Sequence, residues 1–243
     1  MMSSAMLYGL GVGPGDPELL TVKAMRLLQA VPVVAFFAAR GRPGVACNIL
    51  AGLIPESTEQ MRLEYPVTTE IPVSDPRYGA LMGDFYNQSA ERVAAVLDSG
   101  RDLALVCEGD PLFYGSYMHV HRRLEGRYPI EVVPGITGMS GCWSRAGLPM
   151  TYGDDVLTVV PGTLPKEELA ARIANCDALV VMKLGRNLQK VRHALDEAGL
   201  LERALYVESG TCEAEIRRPL RAMQGVKAPY FSMILVPGRG RAP

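Results

Sequence analysis

Residues 5–37 read AMLYGLGVGPGDPELLTVKAMRLLQAVPVVAFF. An apolar run at 5–10 stops at glycine-rich 11–15. An amphipathic stretch follows at 16–30: Pro17 suits a first helical turn, and Leu19, Leu20, Ala24, Leu27 and Leu28 fall on one face. A second apolar run occupies 32–37. Strand, helix and strand in close succession predict a unit whose strands pair in parallel, with the helix across one face.

The alternation continues outward. Residues 78–99 read as a long helix with Phe85, Val93, Val96 and Leu97 inward. Residues 102–107 read as a buried strand, 116–124 as a helix and 130–133 as a strand, with a helix through 142–146. The pattern then restarts, with strands at 156–160, 178–183, 205–208 and 230–236. Helices are expected at 166–175 and 188–198, the second ended by Gly199. Residues 38–75 read as irregular with one helix near 47–52, and the polar 237–243 tail as frayed. The expected fold class is α/β, two α/β domains with mostly parallel sheets, spanning 1–146 and 147–243. Ligands of such sheets bind at the carboxyl ends of the strands.

Bulk properties narrow the function. The 243 residues are 48% hydrophobic and 21% charged, an ordinary globular balance. With 25 basic and 26 acidic side chains, the basic surplus of a nucleic-acid binder is missing. No apolar run approaches the roughly 18 residues of a membrane span. The first residues lack a basic segment and run into glycines, against a signal peptide. Five scattered cysteines without a CxxC pair point to a reducing, cytoplasmic compartment. With three histidines, they leave no zinc pattern, so no metal is expected.

Four strand-end loops are candidates for chemistry. Gly11-Val12-Gly13-Pro14-Gly15-Asp16 invites a dinucleotide reading, but GxGxxG requires glycine at 16, and an acid there repels a pyrophosphate. Asp16 suits a helix N-cap, so this loop alone reads as a tight, capped turn. Residues 108–116, Glu-Gly-Asp-Pro-Leu-Phe-Tyr-Gly-Ser, crowd two carboxylates and a tyrosine at the end of a buried strand. Such groups are costly to desolvate unless paired or serving a ligand, which favours function over a solvated turn. In Val133-Pro134-Gly135-Ile136-Thr137-Gly138, Gly135 permits close backbone approach and Thr137 can cap the next helix. In Met182-Lys183-Leu184-Gly185-Arg186, the methionine reads as core and the two basic residues as surface charges.

Their joint order is more specific than any one of them. GxGPGDP, then GDPxxY, then VVPGIT, with VVMKLG at 180–185 and PYFSMILV at 229–236, resembles the S-adenosylmethionine-dependent tetrapyrrole (corrin and porphyrin) methyltransferases over nearly the whole chain. The segment 40–75, Cys142-Trp143-Ser144-Arg145-Ala146-Gly147-Leu148-Pro149, VVPGTLPKEEL at 159–169 and Pro229-Tyr230-Phe231-Ser232 are most similar to the subfamily that methylates precorrin-2 at its C20 meso carbon.

The resemblance implies a bilobal, cytoplasmic homodimer with the active site in the cleft between the lobes. It implies S-adenosylmethionine as cofactor and S-adenosylhomocysteine as product; the charge balance and the short apolar runs add the expectation of no nucleic-acid or membrane partner. The implied cofactor residues are Pro14, Glu108, Gly109, Asp110, Ser116, Thr137, Gly138, Met182, Ser209 and Tyr230. Where relatives often carry alanine after the PGIT threonine, Gly138 leaves that contact to backbone. On the substrate side stand Gly13 and Gly15, with Arg40, Arg42, Arg62, Lys183 and Arg186 as clamps for a polycarboxylate ring, or as ordinary solvated charges. Asp110, Tyr114 and Asp16 are candidates to take the proton the ring carbon loses; substrate nitrogens or water are alternatives. Three rivals stand: a cobalt-loaded substrate, another tetrapyrrole methylase such as the uroporphyrinogen III enzyme, and a nicotinamide-dependent or nucleotide-binding protein. Relatives that methylate ribosomal RNA or a protein histidine are disfavoured by the charge balance and the 38–75 insertion.

Overall fold

A computed structural model describes residues 5–68, 70–71 and 75–240. The last three residues of the expected tail, and residues 69 and 72–74 of the 40–75 segment, lie outside the described residues. The chain divides into two compact units, Met1–Thr137 and Gly138–Pro243. The helix through 142–146, read from sequence with the first domain, groups with the second unit.

Among the described residues the first unit holds five strands, β1 (Leu7–Gly11), β2 (Val33–Ala39), β3 (Glu59–Tyr65), β4 (Leu103–Cys107) and β5 (Ile130–Val133). They lie in the order β3-β2-β4-β1-β5, and every pairing is parallel. Alternation along the central strands feeds two cores. On one face, Leu7, Leu103, Leu105 and Cys107 pack with Phe85 and Val93 of α3 (Pro76–Asp98) and with Tyr117 and Val120 of α4 (Tyr117–Leu124). On the other, Leu10, Ala104 and Val106 pack with Ala24 and Leu28 of α1 (Val22–Leu28) and Ile49 of α2 (Val45–Ile49). Helices therefore cover both faces of this sheet.

Three local expectations are corrected. The helix after the first glycine loop starts at Val22, not near 16. Residues Pro17–Leu19 form a 3-10 turn, and Thr21 caps α1 by accepting the Ala24 N–H at 3.1 Å. Within the supposedly irregular 38–75, residues 59–65 form β3. This edge strand buries Leu63 and turns charged residues outward, as edge strands do to discourage further pairing. The helix expected near 47–52 is α2, a few residues earlier.

The second unit contains α5 (Gly138–Ala146), α6 (Lys166–Ile173) and α7 (Leu188–Glu197). Its strands are β6 (Leu157–Pro161), β7 (Ala178–Met182), β8 (Leu205–Glu208), β9 (Ile216–Pro219) and β10 (Ser232–Val236), in the order β6-β7-β10-β8-β9. Among the described residues only β6 and β7 pair in parallel here. β10 runs antiparallel to β7 and β8, and β9 antiparallel to β8. The link from β8 to β9 is too short for a crossover helix, so that pair must be antiparallel. Among the described residues, no helix is long and apolar enough to cross a membrane.

Candidate active site

In the first sheet β1, β4 and β5 are parallel neighbours, so their carboxyl ends share one edge. Their three loops meet there at glycines. A Cβ on Gly11 would stand 2.5 Å from the Gly135 amide nitrogen and 2.7 Å from the Gly109 carbonyl oxygen. One on Gly135 would overlap that same oxygen and lie 2.8 Å from the Gly11 Cα. The loops are stacked backbone on backbone, an approach only glycine permits.

Hydrogen bonds fasten the stack. The Gly109 N–H donates to Gly13 at 2.7 Å, and the Val12 N–H to Cys107 at 2.9 Å. One Asp110 carboxylate oxygen accepts from the Gly135 N–H at 3.1 Å; the other accepts from the Leu112 N–H at 2.9 Å. Asp110 thus ties the loop after β4 to the loop after β5, and charge-assisted bonds of this kind are the stronger ones. Asp16 is the expected cap: its carboxylate accepts the Glu18 N–H at 2.9 Å.

Glu108 Oε1 accepts the Ala46 N–H in the first turn of α2 at 3.0 Å, which joins the β4 loop to the 40–55 region. Burial pushes its carboxyl above the usual range, with the Ala46 bond and one from its own N–H opposing. Tyr114, 42% exposed, sits at φ 56°, a left-handed conformation that a bulky residue holds only under constraint. Ser116 Oγ accepts a hydrogen bond from the Tyr65 hydroxyl at 2.7 Å and lies 3.0 Å from the Tyr86 hydroxyl. Pro14 and Gly15 lie in the loop after β1, and Thr137 lies four residues after the end of β5.

The arginines differ in what they do. Arg40 and Arg42 are exposed beyond β2. Arg62 lies within β3, and its guanidinium donates to the carbonyls of Ala39 (2.8 Å) and Arg42 (2.5 Å) while pairing with Glu64 at 2.8 Å. It therefore holds the turn after β2, a role not expected from sequence.

The second unit gathers its candidates by a different route. β10 runs opposite to β7 and β8, so its amino end lies beside their carboxyl ends, with Ser232 level with Glu208. Met182, Lys183, Ser209 and Tyr230 consequently share one edge of this sheet. Lys183 and Ser209 take φ values of 56° and 48°, again left-handed. The Ser209 N–H donates to Phe231 at 2.9 Å, and the Gly162 N–H to Met182 at 2.7 Å. Desolvation lowers the Lys183 ammonium below the usual lysine range. Arg186 is exposed in the 3-10 turn that follows, and Gly138 opens α5, where an added Cβ would touch Met233 at 3.6 Å. Non-glycine residues in left-handed backbone at strand ends mark positions where geometry is held for a purpose. Tyr65, Tyr86 and Ala46, which hold the Ser116 and Glu108 side chains, were not among the sequence candidates.

Parallel strands with glycine-tied carboxyl-end loops define the α/β class whose ligands bind at the strand ends. Comparison narrows the class. Residues 6–223 match the tetrapyrrole (corrin/porphyrin) methylases, and the chain belongs to that family. It is similar to a precorrin-2 C(20)-methyltransferase of Sinorhizobium sp, at 54% identity over 96% of this chain and 95% of that one. It is also similar to a cobalt-precorrin-2 C(20)-methyltransferase of Salmonella typhimurium, at 30% identity over 95% of each. Among solved structures, a uroporphyrin-III C-methyl transferase from Thermus thermophilus complexed with S-adenyl homocysteine is 26% identical, with a TM-score of 0.67 over 95% of this chain and 97% of that one. A cobalt precorrin-4 methyltransferase with TM-score 0.71, 24% identical over 96% and 94%, shares the fold.

Proposed function

We propose that this chain transfers the methyl group of S-adenosylmethionine to the C20 meso carbon of precorrin-2, giving precorrin-3A and S-adenosylhomocysteine in cobalamin biosynthesis. The observation that carries this is the backbone stack of Gly11, Gly109 and Gly135, which presents the β1, β4 and β5 loops as one surface. It stands in a chain 54% identical to a relative named for that reaction. The metal-free ring is preferred to the cobalt-loaded one because the relative named for the latter is only 30% identical.

The donor set fits the cofactor. In the first unit the Glu108 carboxylate and the hydroxyls of Ser116 and Thr137 suit ribose hydroxyls and a sulfonium charge, with Pro14, Gly109 and Asp110 shaping the loops. In the second unit Gly138, Met182, Ser209 and Tyr230 are the cofactor candidates. When bound, S-adenosylmethionine supplies a methyl already activated by its positive sulfur. The chain's task is then to orient and to exclude water. Arg40, Arg42, Lys183 and Arg186 are the groups proposed to meet substrate carboxylates, with Gly13 and Gly15 alongside. Asp110 and Asp16 spend carboxylate oxygens on backbone amides, which makes them positioning groups. The Tyr114 hydroxyl is the candidate to relay the departing ring proton to solvent. A homodimer in the cytoplasm completes the proposal, supported by the family resemblance and by the dispersed cysteines. Sedimentation velocity tests the dimer.

Calorimetric titration tests the cofactor assignment. S-adenosylhomocysteine is expected to bind and NADH is not. Binding of NADH alone would replace this reading with a nicotinamide enzyme. A mass gain of one methyl on precorrin-2, larger without cobalt than with it, tests the substrate.

A further inference from the structure

We propose that Tyr65 and Tyr86 are positioning residues that set the Ser116 hydroxyl for the cofactor. The inference rests on the reading of Ser116 as a cofactor contact. Three separate elements meet here: Tyr65 ends β3, Tyr86 lies in α3, and Ser116 immediately precedes α4. The Tyr65 hydroxyl donates to Ser116 Oγ at 2.7 Å, and the Tyr86 hydroxyl lies 3.0 Å from the same atom.

Ser116 holds the N-cap position of α4, where a serine ordinarily accepts a backbone N–H of its own helix. It makes no such bond. Its hydroxyl is turned instead to the two phenols. A serine hydroxyl carries two acceptor lone pairs and one proton. With both phenols donating, the lone pairs are filled and the serine proton remains to donate to a ligand. With Tyr86 accepting, that proton is committed and one lone pair remains. The phenols therefore decide whether Ser116 meets a ligand as donor or as acceptor.

Both rings are fixed by packing. Tyr65 stacks on Phe37 at 5.6 Å between centroids and packs against Phe85 at 5.1 Å. Tyr86 is 7% exposed and stacks on His119 at 4.1 Å, with the Arg123 guanidinium 5.9 Å from its centroid. Burial raises the Tyr65 phenol well above its usual range, so it remains a donor at working pH. A hydroxyl that only satisfied buried neighbours would leave cofactor affinity untouched when removed, and this separates the two roles.

The test is S-adenosylhomocysteine titration by calorimetry into the full chain, with melting temperatures in parallel. The variants are Tyr65→Phe, Tyr86→Phe, Ser116→Ala and the Tyr65→Phe/Ser116→Ala double variant. Phenylalanine keeps each ring and its packing. Each single tyrosine change is expected to weaken binding by about three- to tenfold, the worth of one oriented hydrogen bond. Tyr65→Phe should add nothing once Ser116 is alanine, because it acts through that residue. Wild-type affinity in both tyrosine variants, with weakened binding in Ser116→Ala, overturns the inference and leaves the cofactor reading standing. Wild-type affinity in Ser116→Ala removes Ser116 from the cofactor site, and the inference with it.

Discussion

Replacing Gly135 by alanine places a methyl group on the Gly109 carbonyl oxygen and 2.8 Å from the Gly11 Cα. Gly135 is not among the residues with positive φ, so the penalty comes from space alone. Both obstacles are backbone, and relief requires the loops after β1, β4 and β5 to part. Overpacking of this kind costs about 1–3 kcal/mol. Parting the loops also stretches the bond from the Gly135 N–H to Asp110, and hydrogen bonds to charged groups contribute about 1.5–3 kcal/mol. The sum, about 2.5–6 kcal/mol, lowers the melting temperature of a chain this size by roughly 5–24 °C. Because the same three loops form the proposed cofactor surface, affinity for S-adenosylhomocysteine should fall more than tenfold. Scanning calorimetry and titration calorimetry on Gly135→Ala read both quantities. A variant that melts and binds as wild type would refute the reasoning that the three loops act as one unit.

Other outcomes follow from the same geometry. Asp110→Ala strands the Gly135 and Leu112 amides, so it should cost about 1–3 kcal/mol in thermal unfolding as well as cofactor affinity. A loss of turnover with no change in melting would make Asp110 a purely chemical residue. Glu108 has a raised carboxyl, so its charged form is disfavoured in the fold. Its contribution to stability is full below the ordinary value of 4.5 and is lost as pH climbs through the raised value. Glu108→Gln should therefore gain melting temperature relative to wild type as pH rises from acid to neutral; a pH-independent difference would contradict this. Gly79 lies in α3 with open space where a Cβ would go, so Gly79→Ala should stabilise by about 0.5–1 kcal/mol in denaturant unfolding, and a loss of stability would count against that helix packing.

Much of the first sheet was legible because β2 and β4 are apolar on both faces, the mark of a buried parallel strand. β3 was not. Its inward residues Met61, Leu63 and Tyr65 alternate with Gln60, Arg62 and Glu64 in a stretch punctuated by glycine and proline. β9 left almost no pattern: all four of its residues are exposed, and only backbone pairing makes it a strand. The loops that carry the candidate site could be located because their glycine and acidic motifs follow one another in a specific order along the chain. What each side chain does could not. Asp110 also accepts from Gly135, 25 residues on, a tie that no local pattern announces. The partners of Ser116, Tyr65 and Tyr86, are 51 and 30 residues away in sequence. Hydrogen-bond partners brought together by the fold leave no local trace.

The position of the transferred carbon decides most. The pure protein, precorrin-2 and S-adenosylmethionine labelled with carbon-13 in its methyl group are incubated together, and the product is read by NMR. Label bonded to the C20 meso carbon is the expected result; label on a pyrrole carbon, or none transferred, would contradict it.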